Sequence, residues 1–100
     1  MNDLRCGAFY NREHVINQGK SLLAAVVAER CEIPLSAVWV KVQEEQNGSV
    51  TANYILDQQQ AKNQDMANDH LAKRHICEVV AAKTEAALKR LGARWSAYGY

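Results

Sequence analysis

The residue pattern predicts an α+β domain with the element order β-α-β-β-α, built as a ferredoxin-like two-layer sandwich. Both helices would lie on one face of a mainly antiparallel sheet, and the tail is able to add a C-terminal strand. Three observations point there: two stretches of helical periodicity, one strong hairpin between them, and short alternating segments at both ends of the chain. At 100 residues, with 48% hydrophobic and 23% charged residues, the chain suits a single folded domain over residues 1–100 with one modest core.

The opening stretch "LRCGAFY" reads as a first strand. From Asn11 to Cys31 the apolar residues Val15, Ile16, Leu22, Leu23, Val26 and Val27 recur at three- and four-residue spacing, which makes a broad helical face. Asn11 is placed to cap this helix, with Arg12 and Glu13 in its first turn. Gly19 interrupts the face at a cost of roughly 1 kcal/mol relative to alanine, so close packing against another backbone is expected at that point. Pro34 forbids continuation and pushes Ile33 toward an extended backbone.

The clearest signal is "AVWVKVQEEQNGSVTANYILD". Val38, Val40 and Val42 alternate with Trp39, Lys41 and Gln43, and the same two-residue period returns from Val50 to Leu56. Asn47-Gly48 between them tolerates positive φ and marks a hairpin turn. Residues 57–64, "DQQQAKNQ", are polar and read equally as loop or helix start. A second helix is expected from Asp65 to Leu91, with Gly92 ending it, and "ARWSAYGY" remains for a last strand.

Charge excludes little and suggests little. The net charge is +1, but from Lys73 onward six basic residues face two acidic ones, and before it six face nine. Cys6, Cys31 and Cys77 are odd in number and widely spaced, and no basic-then-apolar signal segment opens the chain. Reduced core cysteines in a cytoplasmic protein are therefore expected. The apolar run "LLAAVVA" is too short to span a bilayer, so no membrane partner is expected.

"HLAKRHIC" concentrates two histidines and a cysteine in eight residues. On a helix His70 and His75 point about 140° apart, and His70 and Cys77 stand roughly 10 Å apart along the axis. A zinc ion needs its ligands about 2 Å from one centre, so no metal and no cofactor are expected. "NQGKS" resembles the end of a phosphate-binding loop but lacks the upstream glycine and lies inside a helical pattern. Asp65, Asp69 and Lys73 form a charge ladder at four-residue spacing.

The stretch "AERCEIPLSAVWVKVQE", residues 28–44, resembles the corresponding part of tautomerases of the 4-oxalocrotonate type, a helix end followed by Ile-Pro and a strand. Those enzymes use an N-terminal proline as base. Position 2 here is Asn2, so the resemblance does not carry the activity over.

Two functional classes follow, with a third beside them. A 27-residue second helix would run about 40 Å, well beyond a domain whose radius of gyration is about 13 Å. Trp39 and Ile55 are also expected on the sheet face turned away from the helices. The first reading is therefore a non-enzymatic assembly module acting as a homo-oligomer, a homodimer first. Its interface would draw on Trp39, Ile55, Ile76, Val80, Ala87 and Leu91. The second is a single-stranded nucleic-acid binder, with Trp39 stacking on bases and Lys41, Lys83, Lys89, Arg90 and Arg94 along the backbone. The third is a small enzyme whose pocket forms between subunits near His14, His70 or His75.

Overall fold

The computed structural model describes the backbone of residues 4–97 and the side chains of residues 12–91. Its order is α-β-β-α. Helix α1 spans Leu4–Cys31, strand β1 Val38–Glu44, strand β2 Val50–Leu56, the single turn α2 Gln64–Ala67, and helix α3 His70–Ala97. Short 3-10 turns at Leu35–Ala37 and Gln58–Gln60 sit at the far ends of the hairpin.

This corrects the ferredoxin-like sandwich, because among the described residues the sheet has two strands rather than the expected three with a possible fourth at the C-terminus. "LRCGAFY" is the first turns of α1, so Asn11 lies inside the helix and does not cap it. "ARWSA" continues α3 straight through Gly92, and residues 98–100 lie outside the described part. Seven residues of mixed pattern do not separate a two-residue from a 3.6-residue period. A helix also satisfies its own amides, whereas a terminal strand needs a neighbour to do so. The polar stretch 57–64 resolves into the second 3-10 turn and the approach to α2. The expected Asp65–Leu91 helix is broken at Asn68 and Asp69. Asn68 Nδ2 donates to the Gln64 carbonyl, and Asp69 Oδ1 accepts from the Ala72 amide as an N-cap. Asn and Asp compete with helix hydrogen bonding in this way and so favour breaks and caps.

α1 ends at Cys31, as the spacing predicts, three residues before Pro34. Glu32 adopts φ 53°, and the Ile33 amide reaches back to the Ala28 carbonyl at 3.1 Å. That is the six-to-one bond of a left-handed helix terminus, with Ile33 packing into the core beside it.

β1 and β2 pair antiparallel, with Trp39 opposite Ile55, Lys41 opposite Asn53 and Gln43 opposite Thr51. The turn is a three-residue loop: Gly48 donates to the Glu45 carbonyl at 3.0 Å and carries φ 88°. Asn47 does not take positive φ; its Oδ1 accepts from the Ser49 amide and hydroxyl instead. Bonds flanking the strands, Glu45 N–H to the Ser49 carbonyl and Asp57 N–H to the Ala37 carbonyl, set the alternation. The odd-numbered residues are therefore the mutually hydrogen-bonded pairs, and every even-numbered amide points away from the partner strand.

The two long helices run antiparallel and cover one side of the hairpin. Leu23, Val27 and Cys31 of α1 meet Ile76, Val80 and Leu88 of α3 and Val38, Val42, Val50 and Tyr54 of the strands. Gly19 sits at the closest approach: a Cβ there would fall 2.5 Å from Thr84 Oγ1 and 3.5 Å from Val42 Cγ1. The close approach is to side chains rather than to the backbone expected from the sequence, and the threonine side chain fills the notch. Each long helix has 28 residues, about 42 Å, against about 23 Å for a seven-residue strand. The Arg12–Glu44 ion pair and the Glu85 bond to the Val50 amide mark the turn end of the hairpin. The start of α1 and the end of α3 therefore project beyond it.

Candidate functional site: the uncovered side and free edge of the hairpin

The even-numbered strand residues face the helices, so the odd-numbered ones form the opposite face. On it Trp39 and Ile55 stand directly across from one another, 55% and 65% exposed. They line a shallow depression with Lys41 and Asn53. Toward the turn the same face becomes polar. Glu45 accepts from the Thr51 hydroxyl at 3.0 Å and from Gln43 Nε2 at 3.2 Å. The face is thus divided, apolar where the strands leave the core and hydrogen-bonded at the turn.

The two edges of the sheet differ. On β2 two of the outward amides, those of Val50 and Tyr54, are occupied by side chains, Glu85 Oε1 accepting from Val50 at 3.1 Å and Asn53 Oδ1 from Tyr54 at 2.8 Å. Among the described residues no group accepts from Ala52 or Leu56. Lys89 holds Glu85 in place at 2.9 Å. The Lys89 contact, followed by the Val50 amide, keeps the Glu85 carboxyl below its ordinary pKa. On β1 the amide of Val38 closes the preceding turn on the Leu35 carbonyl. Among the described residues, no group accepts from the outward amides of Val40 and Val42.

The covered side holds a second group of polar side chains. Tyr54 is buried beneath Lys73, whose Nζ lies 5.0 Å from the ring centroid in a cation–π contact. Burial, then nearby Cys31, Cys77 and Asp69, push the Tyr54 phenol up to about 12. Burial likewise raises the thiols of Cys31 and Cys77, and Lys73 partly offsets the second. These thiols and the phenol therefore stay protonated at neutral pH and pack as small core groups.

The interface residues expected from the sequence separate into two sets. Trp39 and Ile55 are open on the uncovered face, but Ile76 and Val80 are buried in the chain's own core and Ala87 and Leu91 are half-buried. The residues expected to bind nucleic acid do not converge. Trp39 and Lys41 are on the uncovered face, while Lys83 lines a groove between the helices with Leu22, Val26, Arg30 and Val79. Lys89 is engaged by Glu85, Arg90 is exposed on α3, and the Arg94 side chain lies outside the described residues. The three histidines occupy three different depressions: His14 beside Asn17 and Ser21, His70 beside Lys73 and Cys77, and His75 in the helix groove. No group of three metal-binding side chains forms among the described residues, and no described helix is long and apolar enough to cross a membrane.

The residues that the sequence did not single out are Val40, Asn53 and Glu85. Edge capping joins residues up to 35 positions apart, and no local pattern announces it. No family model, curated protein or solved structure matches this chain.

Proposed function

We propose that this chain is a non-enzymatic assembly module that acts by associating with copies of itself. The observation that carries this reading is the Trp39–Ile55 pair on the side of the hairpin that no described helix covers. Complete burial of one large apolar side chain is worth about 1.5–3 kcal/mol, so these half-open residues leave on the order of 1–2 kcal/mol each unrealised. Among the described residues, His14, His70 and His75 lie in three separate depressions and the Cys31 and Cys77 thiols are protonated, so they bring no nucleophile, base or ligand set together.

Light scattering tests the reading. The expected mass is a small multiple of the 11.2 kDa chain, and Trp39→Ser with Ile55→Ser should weaken association at least about tenfold, or roughly 1.4 kcal/mol. A wild-type monomer at hundreds of micromolar overturns it.

A further inference from the structure

The uncapped edge of β1 says how a second copy would join, an inference that rests on the self-association reading and goes further by naming the contact. We infer that β1 pairs antiparallel with β1 of a second copy across a two-fold axis at Val40, extending two hairpins into one four-stranded sheet.

The choice of edge comes from the hydrogen bonds. Exposed strand edges invite pairing, and proteins block the ones they do not use. Here side chains engage alternate outward amides of β2, Glu85 on Val50 and Asn53 on Tyr54, which leaves only the isolated amides of Ala52 and Leu56 without an acceptor. On β1 the successive outward amides of Val40 and Val42 have no acceptor among the described residues. Val38 is already committed to Leu35, so the contact is short.

The register follows from side-chain parity and charge. Strand neighbours must point to the same face, so even residues pair with even ones and odd with odd. With Val40 opposite Val40 of the second copy, each amide donates to the other's carbonyl. Trp39 then lies directly opposite Lys41 of the other copy, twice over by symmetry. The lysine stem covers the indole, and its ammonium meets the ring in a cation–π contact. Sliding the partner by two residues sets Lys41 against Lys41, like charges in direct opposition, which is unfavourable. Sliding by two more centres the pairing on Val42, which is only 4% exposed, whereas Val40 is half-buried. The Val40-centred register keeps all helices on one side of the enlarged sheet and uses surface that each chain leaves open.

Two measurements test this. Val40→Pro removes only an outward amide, so the hairpin ladder keeps its bonds while the edge is closed. Sedimentation should show association weakened at least tenfold, with the far-ultraviolet spectrum retained and Val40→Ala still associating. If Val40→Pro fails to fold, cross-linking decides. A Trp39→Cys chain mixed with a Lys41→Cys chain should form a disulfide heterodimer on mild oxidation, because facing residues in such pairs have Cα atoms about 4.5 Å apart. Either variant alone should cross-link several-fold less. A dimer that survives Val40→Pro, or that cross-links through Lys41→Cys alone as well as in the mixture, overturns the edge pairing and leaves the self-association reading standing. A wild-type monomer overturns both.

Discussion

Glu32 holds a left-handed backbone, φ 53°, at the end of α1. The conformation closes the helix, but a side chain there costs roughly 1–2 kcal/mol that glycine does not incur. Glu32→Gly should therefore stabilise the protein by about 1 kcal/mol, reduced somewhat by the freer unfolded chain, as a higher urea midpoint with unchanged slope would show. Gly19 is the opposite case. Its backbone is ordinary helix, yet a Cβ would meet Thr84 Oγ1 at 2.5 Å. Gly19→Ala should cost about 1–3 kcal/mol through overpacking, despite its better helix propensity. Thr84→Ala in the same chain should recover most of the loss, because the remaining Thr84 Cβ position lies at 3.6 Å, an ordinary contact. Additive losses in that double-mutant cycle would refute the notch.

Among the elements, the hairpin was legible because alternation and Asn47-Gly48 agree over local distances. Its turn was only partly legible: Asn47 contributes a side-chain acceptor rather than a positive φ. The helix ends were less legible, since Asn11 and Gly92 look like a cap and a stop but lie inside helices. Propensity at one residue is worth about 1 kcal/mol, and the turns continuing past it outweigh that. Glu85 ties α3 to the edge of β2, and its carboxyl is held below its ordinary 4.5 by Lys89 and the Val50 amide. A depressed folded pKa adds stability that is fully present above the unfolded pKa and is lost as pH falls through the folded one. Glu85→Gln should therefore narrow the gap between stability at neutral pH and in mild acid, read from urea midpoints across that range. An identical acid response in both proteins would rule out this tie.

The whole molecule is elongated, 51 × 29 × 18 Å with a radius of gyration of 15.9 Å, where a compact domain of this length has about 13 Å. Its core is one layer of strand residues against one layer of helix, and no described element packs on the other side of the sheet. If association covers that side or its edge, folding and assembly are linked by mass action. The melting temperature should then rise by a few degrees over a hundredfold increase in protein concentration, as calorimetry can record. A melting temperature independent of concentration would separate folding from assembly.

Local patterning carried the hairpin, the two helical tracts and the outward placement of Trp39 and Ile55. Each depends on spacing within one element, and such spacing can be read along a chain. The length of the helices, the missing strands, the burial of Ile76 and Val80 and the contrast between capped and open sheet edges arose from packing. These features depend on which distant segments meet, and on whether a backbone amide finds its acceptor within its own helix or across space.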